Sequence, residues 1–496
     1  MDDSILIEQN PWWKDRELIN SDKHLADLAN RNIRWDPGLW KHFNWDRDHL
    51  YTIRGPRQVG KTTMIKRTIR RLIVEKGIDP FNILFFSTDL IDSREQFLDI
   101  LKTYESIHNR YSSKGHRFVF IDEITNIPQW EKVIKFQSDR GDLTDTTVVL
   151  TGSHTLDIGR SVERLPGRRG EGEGEVLDKI MVPMKFREYL KTIDKKLFDE
   201  LSSLTGIDRT RRKEIIRDQF KVKELPGEIT RTELFQDDLD RRFNDYIITG
   251  GFPRPISSFK GDGRINDDIY GIYTRSLMGD LTRNGLSDTI AKQVLRSIIE
   301  RMTTRISNNS IAKENEIGSH NTISKYVEAL ERSFTLNGFY QIDRSKGRIK
   351  ARSEKKIYLS DPFIYHAMRG WSGGLTNLFG SAVEHISDPQ TLGKMVEMVV
   401  SNHMIRLAYS MNPTDLFSHH EKVLFWRKKG SEREVDFIVV DNENLLPVEV
   451  KYTQNIRGKD LSGIRSFGKG IILTKRTLET KGNYTFIPAP VFLLLV

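Results

Sequence analysis

The sequence predicts an α/β protein with more than one domain, and three observations support this. Near residue 50 an apolar strand leads into a glycine-bracketed loop and then into a helix. The runs 82–89 and 117–122 contain continuous apolar stretches of strand length, which are typical of a buried parallel sheet. Beyond residue 389 an apolar helix precedes three short strands, which indicates a second α/β region at the C-terminal end.

Composition sets the class of protein and its surroundings. A chain of 496 residues is too long for one core, so three or four units are expected. The absence of cysteine excludes disulfides and thiolate metal sites and suits a reducing compartment. No apolar run approaches membrane length and no signal peptide is evident, so we expect a cytoplasmic protein without a membrane partner. The net charge of +9 permits an anionic partner such as nucleic acid, although alone it is weak evidence.

The stretch 51–63 has the pattern of a phosphate cradle for ATP. Gly55 and Gly60 allow positive φ angles and a close approach of the backbone, and the helix beginning at Lys61 adds the positive end of its dipole. Lys61 is expected to reach the β- and γ-phosphates, and Thr62 to hold Mg²⁺. The full spacing of the motif disfavours a strand-to-helix turn that binds nothing. The predicted nucleotide-binding residues are Gly55, Pro56, Arg57, Gln58, Val59, Gly60, Lys61, Thr62 and Thr63.

Two carboxylates, Asp122 and Glu123, follow the apolar run 118–121. A buried parallel strand delivers such residues to the carboxyl edge of the sheet, where ligands of open α/β sheets bind. Asp122 is therefore expected to orient the Mg²⁺ shell, and Glu123 to polarise the attacking water. The alternative is a strand that ends in two solvated acids.

A tryptophan-rich segment, 1–50, precedes these motifs and holds five of the eight tryptophans. An apolar flap, packed over the nucleotide or against a neighbouring subunit, is favoured over a ligand cage because aromatic residues mostly belong to cores. Further along, Arg168 stands beside a charged Gly-Glu tract, and a mobile loop arginine suits an arginine finger. An ordinary surface arginine is an equal alternative there.

Several motifs in this order resemble a family of prokaryotic, largely archaeal, AAA+ ATPases that typically carry a C-terminal module of uncharacterised role. The resemblance implies an oligomeric ATPase, with a ring of six as the favoured assembly, and leaves the substrate open. It also implies a polar sensor after residue 150, for which Ser153 is the first choice and Thr151 the alternative. The motifs are Gly55–Thr63, Ile121–Glu123, Thr151–Ser153, Leu165–Arg168 with Pro183–Tyr189, and Gly250-Gly251-Phe252-Pro253.

The middle of the chain is predicted to be a helical lid followed by a winged helix. Residues 190–290 are charged and rich in helix-forming residues, with no legible chemistry. Helices near 294–299, 310–315 and 321–334, then strands at 336–342 and 356–359, have the order of a winged helix. The tip between the strands carries Arg344, Lys346, Arg348, Lys350, Arg352, Lys355 and Lys356. Such a tip suits a phosphate backbone, but a purely structural winged helix is nearly as well supported.

The C-terminal region contains a second candidate site. If the hairpin after 434–440 turns at Asn442-Glu443, Asp436 lies across from Glu449, with Lys451 on the same face. Two opposed carboxylates repel unless a divalent cation lies between them, and a nearby lysine then positions water or stabilises developing charge. With the helical Glu397 as a further ligand, the set resembles the PD-(D/E)XK nuclease signature. The alternative is an amphipathic sheet with a solvated charged face. Members of this fold often serve as inactive binding modules, so the resemblance does not decide whether this region cleaves DNA.

These observations predict a Mg²⁺-dependent AAA+ ATPase, with a helical lid, a winged helix and a restriction-endonuclease-like α/β domain, that acts on DNA. The alternative is a nucleotide-gated protein-binding switch with an inactive C-terminal interaction domain. The predicted parts are the tryptophan-rich segment (1–50), the ATPase core (51–190), the lid (191–290), the winged helix (291–360), a linker (361–390) and the nuclease-like domain (391–496).

Overall fold

The chain divides into two compact units in the computed structural model. Unit 1 comprises residues 1–182 and 414–416, and unit 2 comprises residues 183–413 and 417–496. The structure describes residues 3–112, 115–152, 161, 163–165, 167–170, 175–221, 224–350 and 354–496. Within those ranges, no helix is both long enough and apolar enough to cross a bilayer.

A five-stranded parallel sheet in the order β2-β3-β4-β1-β5 forms the core of unit 1. Nearly all its strand residues are buried, as the continuous apolar runs predict. The order places β4 between the strand before the glycine loop and the strand that ends at Asp122. The described elements are α1 (Asp3–Gln9), α2 (Lys23–Ala29), β1 (Leu50–Arg54), α3 (Lys61–Arg70), β2 (Ile83–Ser87), α4 (Arg94–Tyr111), β3 (Arg117–Asp122), α5 (Trp130–Asp139), β4 (Thr146–Gly152) and β5 (Asp178–Ile180).

The N-terminal segment packs against the outer strand β2. The side chain of Asn10 bonds the backbone of Phe85 twice, accepting from its N–H at 2.7 Å and donating to its carbonyl at 2.9 Å. The indole N–H groups of Trp12 and Trp13 both donate to the carbonyl of Ile83, at 3.3 and 3.0 Å. These bonds satisfy backbone groups that an edge strand would otherwise expose. The buried Trp12 and Trp13 therefore cover a sheet edge.

Unit 2 contains helices from the predicted lid to the C-terminal region and two sheets. Its described elements are α6 (Phe186–Ile193), α7 (Lys195–Thr205), α8 (Arg209–Phe220), α9 (Gly227–Thr230), α10 (Gln236–Thr249), α11 (Pro253–Asp262), α12 (Asp267–Arg283), α13 (Asp288–Glu300), β6 (Arg305–Ile306), α14 (Asn308–Glu314), α15 (His320–Arg332), β7 (Leu336–Phe339), β8 (Gln341–Asp343), β9 (Arg348–Lys350), β10 (Lys355–Leu359), α16 (Pro362–Gly373), α17 (Leu378–Ser387), α18 (Pro389–Met411), β11 (Val423–Arg427), β12 (Glu434–Asp441), β13 (Asn444–Lys451), β14 (Gly470–Thr474), β15 (Glu479–Lys481), β16 (Tyr484–Pro488) and α19 (Ala489–Leu495).

The helices α13, α14 and α15 and the antiparallel sheet β6-β10-β7 have the order predicted for a winged helix. The predicted strand 336–342 is divided, however, because β7 ends at Phe339 and β8 begins at Gln341. The hairpin β8-β9 joins the C-terminal sheet through a parallel bridge between Gln341 and Phe425. We name this three-helix, three-stranded part of unit 2 the winged-helix region.

The C-terminal sheet is mixed, with eight strands in the order β15-β16-β14-β13-β12-β11-β8-β9. Its central hairpin has the predicted turn, because Asp441 pairs with Asn444 and Asn442 adopts a left-handed φ of 53°. The same register brings Phe437 opposite Val448, and hence Asp436 opposite Glu449. The long helix α18 packs against β12 and β13 and brings Glu397 to this face.

Residues 361–390 were predicted to be a linker, and this prediction is wrong. They form α16 and α17 and the start of α18, and α16 buries most of its side chains against α10, α12 and α13. The apolar content of α16, including Phe363 and Met368, supplies the burial that holds it in the core of unit 2.

The Gly250-Gly251 turn joins three segments of unit 2. Gly251 accepts a bond from the N–H of Met184 and donates to Oδ2 of Asp361, both at 2.8 Å. A Cβ at Gly250 would lie 2.0 Å from Oδ1 of Asp361, and one at Gly251 would lie 2.2 Å from the carbonyl oxygen of Met184. Both glycines are therefore required by packing. Burial raises the pKa of Asp361 to about 7, although backbone N–H groups, including that of Gly251, counteract part of this rise.

Candidate functional site

The glycine loop of unit 1 connects β1 to α3. Its two glycines are required for different reasons, one for its backbone conformation and the other for a close approach of the backbone. Gly60 has a φ of +105°, which a residue with a side chain rarely adopts. Gly55 lies against β5, where a Cβ would be 1.9 Å from the carbonyl oxygen of Met181. Lys61 begins α3 and is buried, and its Nζ donates to the carbonyls of Gly55 at 2.9 Å and Pro56 at 3.1 Å.

Asp122 is the centre of the site in unit 1. Its Oδ2 accepts a 2.6 Å hydrogen bond from the hydroxyl of Thr62, and its Oδ1 accepts one from the hydroxyl of Thr151. Burial and the neighbouring charge of Glu123 raise the pKa of Asp122 above its ordinary value, although both hydroxyls favour the charged form. The structure therefore brings Thr62, Asp122 and Thr151 together at the carboxyl edge of the sheet.

Glu123 is held in a left-handed backbone conformation with a φ of 54°. Such a conformation costs on the order of 1–3 kcal/mol for a residue other than glycine and persists where neighbouring groups enforce it. Here the N–H of Glu123 donates to the hydroxyl of Thr151 at 3.1 Å, and its carbonyl accepts from the hydroxyl of Thr88 at 2.7 Å. The strand β4 thus fixes both acids through one hydroxyl, that of Thr151.

Two other predicted residues stand apart from this cluster. Ser153, the first choice for the polar sensor, lies outside the described residues. Thr151, the alternative, is completely buried and bonded to both acids as described above. Arg168 lies at the surface, where its guanidinium contacts the carboxylate of Asp139 at the end of α5. The described contacts of Arg168 are therefore those of a surface ion pair.

Sequence reasoning missed a buried ion pair directly before the glycine loop. Nε of Arg54 lies 2.9 Å from Oδ1 of Asp178, and the hydroxyl of Thr52 donates to the same oxygen at 2.9 Å. All three side chains are buried, so the pair binds β1 to β5 beneath the loop. An arginine inside an apolar strand is the signal in the sequence that points to such a partner.

The residues of unit 1 fit a magnesium nucleotide. The N-terminus of α3 is capped by a glycine, which leaves its first backbone amides without a competing side chain. Thr62 and Asp122 hold two oxygens 2.6 Å apart at the same end of the helix, and oxygen is the ligand atom that Mg²⁺ prefers. Lys61 adds a positive charge at this end of the helix, and its Nζ donates to the carbonyls of Gly55 and Pro56.

A second cluster of charged groups is buried in unit 2, and Lys356 lies at its centre. We name the carboxylates of Glu397, Glu434, Asp436 and Glu449 the acid cluster. Nζ of Lys356 lies 2.7 Å from Oε1 of Glu434, 2.8 Å from Oδ1 of Asp436 and 3.3 Å from Oε1 of Glu397. Its side chain is 1% exposed. The solvated charged face that was the sequence alternative is therefore not what forms.

The predicted residues Asp436, Glu449 and Lys451 do lie together in this cluster. Nζ of Lys451 is 2.5 Å from Oε1 of Glu449, and the backbone N–H of Val450 donates to Oδ2 of Asp436 at 2.9 Å. Oε2 of the buried Glu449 has no hydrogen-bond partner among the described residues. The hydroxyl of Tyr358 donates to Oε1 of Glu397 at 2.6 Å.

The pKa values in the acid cluster are pushed in opposite directions. Burial and the charge of Asp436 raise the pKa of Glu397 to about 7 and that of Glu449 to about 8. Burial opposes ionisation of Asp436, but the charges of Lys356 and Lys451 outweigh it, so the pKa of Asp436 lies below its ordinary value. Burial likewise disfavours the charged form of Lys356, yet the surrounding carboxylates raise its pKa well above the usual range.

The basic tip predicted between residues 344 and 356 is not one phosphate-binding surface. Lys356 is buried in the acid cluster, and Lys355 lies over the ring of Tyr340 at 4.9 Å. Arg344 donates to the carbonyl of Ser466 and covers the ring of Phe467. Lys346 and Arg348 are exposed, whereas Arg352 is outside the described residues. The tip divides because its last residue, Lys356, is buried, whereas Arg344 stays exposed while it contacts Ser466 and Phe467.

The acid cluster does not fit a divalent cation as the structure has it. Within the described ranges, the group of three side chains that brings possible metal-ligand atoms within 4.8 Å of one another is Asp48, His116 and Asp145 in unit 1. The predicted ligands Glu397, Asp436 and Glu449 do not form such a group, and an ammonium group lies between the first two. Lys356 and Tyr358 were missed because they come from a strand about 80 residues before Asp436.

Comparisons with known proteins agree with this geometry. Residues 47–190 match the family model described as an AAA domain, and residues 240–374 and 392–492 each match a domain of unknown function. The AAA match includes the glycine loop, Asp122, Glu123 and Thr151. Unit 1 therefore has the fold of a P-loop AAA ATPase domain, as the sequence predicts.

The relatives along most of the chain have no described function. An uncharacterised protein of Haemophilus influenzae is 23% identical over 447 residues, covering 88% of this chain and 91% of the relative. An uncharacterised protein of Methanocaldococcus jannaschii is 23% identical over 434 residues, covering 85% and 78%. A solved structure, the Walker-type ATPase of Pyrococcus abyssi, is 13% identical with a TM-score of 0.37, covering 72% of this chain and 95% of that one.

Proposed function

We propose that unit 1 hydrolyses ATP with Mg²⁺ and that the nucleotide state controls the binding of DNA by unit 2. The arrangement around Asp122 carries the first part, because one buried carboxylate is held by Thr62 from the glycine-loop helix and by Thr151 from β4. Thr62 and Asp122 would hold the metal ion, and Lys61 would hold the β- and γ-phosphates. The bound metal ion would neutralise charge that develops on the phosphates.

Glu123 is the residue that we assign to the attacking water. Its left-handed backbone is held by hydrogen bonds to Thr88 and Thr151, which fix where its side chain leaves the edge of the sheet. A carboxylate held in this way accepts a proton from water or orients the water. The neighbouring Asp122 has both oxygens engaged by hydroxyls and serves the metal ion, so the two acids have separate roles.

The DNA part of the proposal depends on charge at the surface of unit 2. Lys346 and Arg348 are exposed on the hairpin β8-β9, and the chain has 78 basic against 69 acidic residues. Exposed lysine and arginine side chains on a hairpin suit the phosphate backbone of nucleic acid. Cleavage is not part of this proposal, because Lys356 lies between Glu397 and Asp436 where a nuclease would hold its metal ion.

A second candidate function is a nucleotide-gated switch that binds a protein. The same position of Lys356 favours it, since a C-terminal region without a metal site suits an interaction module. Self-association into a ring, with six subunits as the favoured number, belongs to either proposal. In such a ring Arg168 would serve a neighbouring nucleotide only after leaving Asp139.

One experiment separates these functions. ATP hydrolysis by the full chain is measured with and without duplex DNA at several salt concentrations, beside Lys61→Ala and Glu123→Gln. We expect Glu123→Gln to lower the turnover number about 10²–10⁴-fold, as loss of a general base does. DNA should stimulate hydrolysis, and the stimulation should fall as salt increases.

The matched controls address the surface of unit 2. The double variant Lys346→Gln/Arg348→Gln should bind DNA more weakly and with a smaller salt dependence. The pair Lys260→Gln/Arg264→Gln makes the same change of charge at exposed positions of α11 and the turn that follows it, and should not alter DNA binding. A rate of ATP hydrolysis that does not change when DNA is added would instead support the protein-binding switch.

A further inference from the structure

Lys356 makes as many contacts with carboxylates as its ammonium group has protons. Its Nζ donates to Asp436 at 2.8 Å and to Glu397 at 3.3 Å, and it forms an ion pair with Glu434 at 2.7 Å. The group is buried, so water does not replace these partners. A buried cation with three anionic partners has its charge compensated within the protein.

This ammonium group lies beside the position that a bridging metal ion would require. Oδ1 of Asp436 and Oε1 of Glu397 both point to Nζ of Lys356. A divalent cation bound to both oxygens, about 2.1 Å from each, would lie beside the ammonium group that these oxygens already accept from, and the two positive charges would repel. The other oxygen of Asp436 is already engaged by the N–H of Val450. The two cations therefore exclude one another.

The backbone of Lys356 is fixed in the middle of a sheet. Residue 356 on β10 pairs with Arg305 of β6 on one side and with Phe339 of β7 on the other. Two residues along the same strand, Tyr358 also bonds Glu397. One strand of the winged-helix region thus supplies two side chains to the acid cluster, and Arg305 adds a longer contact of 3.6 Å to Glu434.

We propose that the ammonium group of Lys356 replaces a divalent cation in the acid cluster, so that the cluster joins the winged-helix region to the C-terminal sheet and binds no metal ion. Lys356 and Lys451 together bring two positive charges to the cluster, the same number that one Mg²⁺ would bring. The residues at the positions that resemble a metal-dependent nuclease site thereby form an internal network of ion pairs. The inference is independent of the proposed function, because it is tested without nucleotide or DNA.

The test is a titration of the full chain with Mn²⁺, in which free Mn²⁺ is measured by electron paramagnetic resonance. Every protein carries Thr62→Ala, which weakens the candidate metal site of unit 1, and any binding at Asp48, His116 and Asp145 is common to all the proteins and cancels in the comparison. We expect the protein with Lys356 and its Asp436→Asn variant to bind Mn²⁺ equally. Tighter binding by the protein that retains Asp436 would overturn the proposal, and this comparison does not require a Lys356 variant to fold.

The Lys356→Met variant tests the replacement directly. The methionine side chain is unbranched and nearly as long as that of lysine, but it has no charge. This variant should therefore bind one additional Mn²⁺ per polypeptide chain. Adding Asp436→Asn should abolish that binding, and Lys355→Met should gain none. A folded Lys356→Met protein with no additional Mn²⁺ would contradict the proposal.

Discussion

Lys61 in unit 1 and Lys356 in unit 2 are both buried beside carboxylates, but they donate to different kinds of partner. Lys61 donates to the carbonyls of Gly55 and Pro56, which are neutral and belong to its own loop. Lys356 donates to the carboxylates of Glu397 and Asp436 and forms an ion pair with Glu434, so its partners are charged and come from α18 and β12. Both lysines are charged donors, but at Lys356 the acceptors are charged as well, so each contact also joins two opposite charges.

This difference indicates which of the two clusters is available to a ligand. The hydrogen bonds from Lys61 to the carbonyls of Gly55 and Pro56 can be exchanged for bonds to phosphate oxygens without leaving a buried carboxylate uncompensated. The partners of Lys356 would have to be left as uncompensated buried charges. We therefore regard the cluster around Asp122 as a binding site and the acid cluster as a part of the folded framework of unit 2.

The largest effect on stability is expected when the charge of Lys356 is removed. Lys356→Met leaves several buried carboxylates without their cation, and breaking a buried ion pair in this way costs about 3–5 kcal/mol. The variant should therefore unfold at a clearly lower urea concentration, measured by circular dichroism of the full chain.

The control for that experiment is the neighbouring lysine. Lys355 is half-buried and lies over the ring of Tyr340, so Lys355→Met should cost only the cation–π contact, about 0.5–1 kcal/mol. Equal shifts of the urea midpoint in the two variants would show that Lys356 is not a buried ion-network residue.

A smaller effect, on ATP turnover, is expected from a change at Thr151. It tests whether this hydroxyl positions the two acids of the cluster around Asp122. Thr151→Val keeps the shape of the side chain but removes the hydroxyl that donates to Asp122 and accepts from Glu123. A hydrogen bond to a charged group contributes about 1.5–3 kcal/mol, so ATP turnover should fall about 10–100-fold with little change in nucleotide binding. Turnover is measured at saturating ATP, and binding with a fluorescent nucleotide.

Thr146 provides the matched control for Thr151. It lies on the same strand β4 and is also buried, but its hydroxyl donates to the carbonyl of Thr144 at 3.0 Å. Thr146→Val should therefore leave turnover unchanged. If Thr151→Val turns over ATP at the rate of the unaltered protein, the hydroxyl does not position the two acids.

The two clusters also differ in how far the sequence predicts them. The glycine loop is local, since nine consecutive residues contain its turn, its lysine and its hydroxyl, and the apolar strand before Asp122 shows which edge of the sheet it reaches. The hairpin that opposes Asp436 and Glu449 is local too, and its turn at Asn442-Glu443 is confirmed by the register. The nine-residue motif was enough to predict the loop, and alternation along two neighbouring strands was enough to predict that Asp436 and Glu449 are opposed.

What the sequence did not reveal depends on contacts between distant segments. Lys356 was assigned to an exposed basic tip because six other basic residues lie near it in the chain, and its partners lie 41 to 80 residues away. The burial of the apolar side chains of α16 likewise depends on contacts with α10, α12 and α13, which the local sequence does not show. Charge density along a chain does not show which of its charges a tertiary fold will bury.

A further effect is a dependence of stability on pH that comes from the acid cluster. Burial and Asp436 raise the pKa of Glu397 from 4.5 to about 7 in the folded chain. The folded state therefore binds the proton more tightly than the unfolded state, and the resulting stability is complete below pH 4.5 and lost as the pH rises through 7. For one group the slope is at most about 1.4 kcal/mol per pH unit.

Glu397→Gln removes this titration, so the variant should lose less stability than the unaltered chain between pH 5 and pH 7.5. Urea midpoints at several pH values measure the difference, and Glu384→Gln, at an exposed position of α17, should follow the unaltered chain. The same slope in Glu397→Gln as in the unaltered chain would mean that Glu397 stays ionised throughout this range. In that case Lys356 and Tyr358 would stabilise its charge more than burial opposes it, and the acid cluster would be more fully compensated than its buried position suggests.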